Sequence, residues 1–89
     1  MIEFIWDPKF KRSYKKIIAK QDALKEKYSQ QIKLFQKDPF DPKLKTHKLS
    51  GTLQDCWAFS IEYDCRVIFK FKEKDKVLLV DIGSHEDIY

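Results

Sequence analysis

Two histidines, an arginine inside a strand-like run and an acid at a turn are the residues of this chain with the widest chemical range. His47 stands in Lys45-Thr46-His47-Lys48-Leu49-Ser50-Gly51, and His85 in Asp81-Ile82-Gly83-Ser84-His85-Glu86-Asp87-Ile88-Tyr89. An imidazole titrates near neutrality, so it can take or give a proton in a transition state. The two histidines are 38 positions apart, so they act together only if the fold joins them. Arg66 opens a run in which Val67, Phe69 and Phe71 alternate to one face, leaving Arg66, Ile68 and Lys70 on the other. Its planar fork suits a phosphate through two hydrogen bonds. An ion pair with Glu62 or Asp64 across the adjacent turn is the structural alternative. Trp57, Phe59 and Phe69 offer ring faces for stacking on bases, but at strand spacing they read as core.

Other chemistries find no support in the pattern. There is no CxxC, no HxxxH, and no thiol at ligand spacing from a histidine, so a zinc site is not expected. Gly51 and Gly83 are the only glycines, too few for a phosphate-cradling loop, and no serine nucleophile motif occurs. Cys56 and Cys65 fall in two runs that pair around a turn near Glu62–Asp64. Cys65 then lies close to the turn and Cys56 far along the other strand, beyond the ~7 Å between Cα atoms that a disulfide tolerates. Free, buried thiols are expected.

The elements that must position these residues follow from periodicity. Ile2–Trp6 reads as a short strand, stopped by Asp7-Pro8, an N-cap followed by a proline suited to a first helical turn. Phe10, Tyr14, Ile17 and Ile18 form one helical stripe. Leu24, Tyr28, Ile32 and Phe35 form a second, with Asp22 expected to cap it. Pro39 and Pro42 end the helical region. The period then changes to two. A short strand is expected within Thr46–Ser50, ended by Gly51, and longer ones at Cys56–Glu62, Cys65–Phe71 and Val77–Ile82. The order implies a single α+β domain over residues 1–89. An N-terminal strand and a helical hairpin pack on one face of a twisted, mainly antiparallel four- to five-stranded sheet, whose other face is open.

Composition agrees. The chain is 43% hydrophobic and 15% aromatic, enough to fill a core although a domain of 89 residues buries only roughly 60% of its unfolded surface. No run approaches the ~20 apolar residues of a membrane span, and Met1-Ile2-Glu3-Phe4 does not open like a secretory signal, so a cytoplasmic protein is expected. The net charge of +4 is uneven. Residues 1–50 hold thirteen Lys and Arg against six Asp and Glu, while residues 51–89 hold five against eight. A basic first half suits a polyanion or an acidic partner.

Residues 44–89 resemble the C-terminal half of the RelE/ParE toxin superfamily, and within it the YafQ-like mRNA interferases. Lys48-Leu49-Ser50-Gly51, then Cys56 through Phe69 with Glu62-Tyr63-Asp64-Cys65-Arg66, and finally Val80 through Tyr89 with Ile82-Gly83-Ser84-His85 carry the likeness. The first half matches in layout. The resemblance implies a toxin of a type II toxin–antitoxin system that cuts ribosome-bound messenger RNA without metal or other cofactor. The 2′-hydroxyl attacks the adjacent phosphate and leaves a 2′,3′-cyclic phosphate. By the same resemblance His47 and Asp64 match the base side, His85 the proton donor to the leaving oxygen, Arg66 the phosphate-holding arginine, and Tyr89 a terminal aromatic position; the two histidines' roles are interchangeable. Two strand positions that carry a further acid and histidine in YafQ-like enzymes are Ala58 and Ser60 here. The family arginine of the last strand is Asp81. Arg66 is expected to replace that lost charge.

The partners so implied are a small, acidic antitoxin, the ribosome and messenger RNA, with no membrane. Two other readings share the fold: a ParE-like poison of DNA gyrase, and a catalytically degenerate nucleic-acid-binding member. Gyrase-dependent linearisation of plasmid DNA marks the first. Growth arrest that His85→Ala abolishes argues against the second.

Overall fold

The computed structural model describes residues 2–51 and 55–84. Strand β1 (Glu3–Trp6) leads through Asp7 into helix α1 (Pro8–Ile17). The Asp7 carboxylate accepts from the Lys9 backbone N–H at 2.8 Å, and Pro8 fills the first turn, where its missing N–H costs nothing. Helix α2 (Asp22–Lys37) departs from expectation at its start. Gln21 is the capping residue and makes no side-chain cap; Asp22 instead lies inside the first turn, where its charge meets the positive end of the helix dipole. After α2 a short 3-10 turn (Pro42–Leu44) precedes β2 (His47–Lys48), and β3 (Trp57–Glu62), β4 (Cys65–Phe71) and β5 (Lys76–Gly83) follow. Gly51, at φ 71°, takes the left-handed backbone that glycine adopts without strain, just beyond β2.

The five strands form one sheet in the order β1-β5-β4-β3-β2. Consecutive strands β2 to β5 pair antiparallel, with turns at Tyr63–Asp64 and Glu73–Asp75. The first strand pairs parallel with the last, Glu3 opposite Lys76 and Trp6 opposite Leu79. Both helices cover one sheet face. Phe35 of α2 anchors the contact, its ring centroid 4.9 Å from Phe59 on β3 and 5.1 Å from Phe69 on β4. Phe10 of α1 is fully buried, and Trp6, Tyr14 and Tyr28 close around it, with Tyr14 and Tyr28 meeting edge to face at 5.1 Å. Such aromatic pairs contribute about 0.5–1.5 kcal/mol each beyond the area they bury.

One irregularity matters for the site. The β4–β5 register shifts between Ile68 and Phe69, so that Ile68 faces Asp81 while Phe69 faces Leu79. Leu79 and Ile82, three positions apart, therefore both belong to the core. Cys56 and Cys65 are free and buried, as the hairpin geometry predicts.

Candidate active site

Strand pairing settles which side chains share the face away from the helices. His47 on β2 pairs with Ala58 on β3, Ala58 with Ile68 on β4, Ser60 with Arg66, and Arg66 with Gly83 on β5. Directly paired residues, and residues two apart in one strand, point the same way. His47, Ala58, Ser60, Arg66 and Ile68 therefore lie on one face, opposite Phe59, Val67 and Phe69. His47 is exposed at one edge and Arg66 half-buried further in. Ala58 and Ile68, which lie between them on that face, are both buried. Two strand spacings and one two-residue step put the Cα atoms of His47 and Arg66 ~12 Å apart.

The His47 ring is held by its backbone. Nδ1 lies 3.0 Å from the Lys45 carbonyl oxygen, which only accepts, so Nδ1 carries the hydrogen and the neutral ring has its lone pair on Nε2. That tautomer suits a base. Lys45 is itself in the left-handed conformation, φ 54° and ψ 39°, closing the 3-10 turn.

Arg66 makes no ion pair with Glu62 or Asp64; among the described residues the ion pairs are Lys9–Asp81 and Lys76–Glu73. Its β5 neighbour Gly83 contributes no side chain. Asp64 lies in the β3–β4 turn, exposed and two residues from Arg66. From His47 it is separated by about four residue steps and two strand spacings, ~16 Å between Cα atoms. The fold thus groups Asp64 with Arg66 and leaves His47 apart from it. His85 and Tyr89 lie outside the described residues.

Burial, with the charges of Glu62 and Asp64 adding to it, pushes the Cys65 thiol up to about 11. Burial likewise raises the Tyr28 phenol. Neither group is poised to react at neutral pH.

A family model described as a bacterial toxin of type II toxin–antitoxin systems, YafQ, matches residues 2–89. The chain belongs to the YafQ toxin family. The fold agrees. The crystal structure of a metal-bound toxin from Helicobacter pylori superposes on this YafQ-family toxin with a TM-score of 0.77 at 27% identity, covering 100% of each chain. YafQ from Escherichia coli strain BL21(DE3) gives 0.76 at 18% identity over 100% of this chain and 99% of that one. E. coli YafQ in its DinJ–YafQ toxin–antitoxin complex gives 0.74 at 19% over 99% and 97%. No curated protein sequence matches the chain. No described helix is long and apolar enough to cross a membrane.

In this YafQ-family toxin Asp81 is a strut. Its carboxylate accepts from the Ser13 hydroxyl at 2.7 Å and from the Ile82 backbone N–H at 2.9 Å, with Lys9 Nζ at 3.4 Å. The register shift of β5 accompanies this turn toward α1. The alternation of residues gave no sign of it. Sequence reasoning also missed the company Arg66 keeps. It lines a depression of about 350 Å³ whose walls include Lys27 and Gln31 of α2 and Lys43 and Lys45 of the 3-10 turn. The surplus of lysine in the first half was the available signal, but the lysines come from separate elements.

Proposed function

We propose that this YafQ-family toxin is an endoribonuclease that cuts messenger RNA on the ribosome, and that an antitoxin protein neutralises it. His47 Nε2 takes the 2′-hydroxyl proton. The 2′-oxygen bonds to the adjacent phosphorus as the bond from phosphorus to the 5′-oxygen breaks. The His85 imidazolium gives its proton to that leaving oxygen. The products are a 2′,3′-cyclic phosphate and a free 5′-hydroxyl. Arg66 holds the non-bridging oxygens while charge builds on them. Asp64, beside Arg66 at the turn, biases the guanidinium's approach, and Tyr89 supports the scissile nucleotide.

The observation that carries this reading is that His47, whose Nδ1 lies 3.0 Å from the Lys45 carbonyl oxygen, and Arg66, in no ion pair among the described residues, share one sheet face. Gly83, opposite Arg66, leads into Ser84-His85. The family assignment and the DinJ–YafQ complex support an antitoxin partner.

The test is to map RNA 5′-hydroxyl ends in translating cells after induction of the wild type, Arg66→Ala, His47→Ala and His85→Ala. Codon-linked ends with the wild type, and none with the variants, are expected. Wild-type ends from both Arg66→Ala and His85→Ala, or gyrase-linearised plasmid without RNA cleavage, overturn the proposal.

A further inference from the structure

Arg66 is one wall of a longer feature. The depression beside it is lined by Lys27 from α2, Lys43 and Lys45 from the 3-10 turn, and Arg66 from β4, against the single carboxylate of Glu62. Among the described residues none of these four cations is in an ion pair. Four cations facing one depression repel one another, and that arrangement is stabilised when a polyanion occupies it.

The walls are tied together. Gln31 Nε2 donates to the Ser60 carbonyl at 2.9 Å and lies 3.4 Å from the Lys43 carbonyl, so one side chain links α2, β3 and the 3-10 turn. Ser60 is the cross-strand partner of Arg66. The lysine-bearing backbones are therefore held in register with the guanidinium, which lowers the ordering cost of binding.

Lys45 supplies an independent sign. The left-handed position that closes a helical turn favours glycine or asparagine, and any other residue costs about 1 kcal/mol there. Asp75, the other described non-glycine residue with positive φ, is of the short polar type that tolerates this conformation; Lys45 is not. The strained position and the groove lining thus coincide at Lys45.

We propose that Lys27, Lys43 and Lys45 form a phosphate track that continues from Arg66 and holds the single-stranded RNA flanking the cleaved bond. This rests on the nuclease reading of the Arg66 face. The three lysines are positioning residues: they act on the strand's phosphates and take no proton in the reaction. Being point charges without base contacts, they bind RNA with little sequence preference and strong salt dependence.

The experiment is fluorescence anisotropy of the isolated toxin with a 2′-O-methylated oligonucleotide, which cannot be cleaved, across a range of KCl concentrations. The variants are Lys27→Gln/Lys43→Gln/Lys45→Gln and, as a charge-matched control on α1, Lys11→Gln/Lys15→Gln/Lys16→Gln. Three lost phosphate contacts at ~0.7 each lower the salt slope by about 2 and weaken binding on the order of a hundredfold at 0.1 M salt. The control changes both by much less. Lys45→Gly relieves the left-handed strain, so it binds RNA more weakly while melting no lower than the wild type. Equal loss in groove and control variants, or unchanged binding by the groove variant, overturns the track. Unchanged RNA binding with weakened antitoxin binding overturns it in favour of a protein partner. These outcomes are separable from failure of the nuclease reading, which shows as absent RNA cleavage by the wild type while the lysines still govern oligonucleotide affinity.

Discussion

The Ser13 hydroxyl and the Asp81 carboxylate meet at 2.7 Å and fasten α1 to the last strand. Asp81 is 8% exposed and also accepts from the Ile82 N–H. Replacing it by alanine removes both acceptors and leaves the Ser13 hydroxyl without its partner, at about 1–3 kcal/mol. The ion pair with well-exposed Lys9 adds little to this. Asp81→Ala should lower the melting temperature by several degrees and keep RNA cleavage at permissive temperature. Asp81→Arg, which puts a cation where the carboxylate accepts two hydrogen bonds, should destabilise at least as much without raising activity. Thermal melts beside cleavage assays decide both points.

Arg66 is expected to matter through its fork as well as its charge. Arg66→Lys keeps the cation but not the two parallel donors. Removing one such donor from a developing oxyanion costs roughly 10²–10³ in rate. Arg66→Ala should fall by at least that much and Arg66→Lys by somewhat less, with little change in melting temperature. Single-turnover cleavage rates measure this.

At His47 the held tautomer separates structure from chemistry. Asparagine can reproduce the Nδ1 donor to the Lys45 carbonyl but supplies no base. His47→Asn should therefore keep the wild-type melting temperature while cleavage falls roughly 10²–10⁴-fold, the usual share of general base catalysis. Cleavage at the wild-type rate would remove His47 from the reaction.

Cys65 gives a pH prediction. Its folded-state value is raised to about 11 from an ordinary 9.0, chiefly by burial. Between those values the folded protein keeps a proton that the unfolded chain releases. Stability from this thiol is therefore fully present below pH 9 and declines as pH rises toward 11. Denaturant midpoints across that window should fall for the wild type and fall less for Cys65→Ala. Iodoacetamide should label Cys65 of the native protein at pH 7.5 far more slowly than a free thiol.

Phe35 tests the core. It is fully buried and touches rings from β1, β3 and β4. Phe35→Ala should cost about 3–5 kcal/mol, a large part of the stability of so small a domain, seen as a lowered denaturant midpoint.

What the sequence made legible was local. The stripe of Phe10, Tyr14, Ile17 and Ile18 and the alternation through Val67, Phe69 and Phe71 each repeat within a few residues; the structure buries Phe10, Ile18, Val67 and Phe69 fully and Tyr14 and Ile17 in part, while Phe71 at the strand end is exposed. The same alternation put Arg66 on the far face. What stayed hidden depends on distant pairing or on a break in period. Nothing near Glu3–Trp6 announces that its ladder partner is Lys76–Leu79. The register shift that accompanies the Asp81 contact with Ser13 leaves no periodic trace. The separation of Asp64 from His47, and the meeting of Lys27, Lys43 and Lys45 beside Arg66, follow from strand register and loop path, which residue types do not encode singly.

The parallel seam between β1 and β5 has a consequence for synthesis. Glu3 waits for Lys76, a residue made seventy-three positions later. At 5–20 residues per second, the nascent chain spends roughly 4–15 s with its first strand lacking any ladder partner. A ribosome-borne fragment that stops short of β5 has neither the finished sheet nor the strand that faces Arg66.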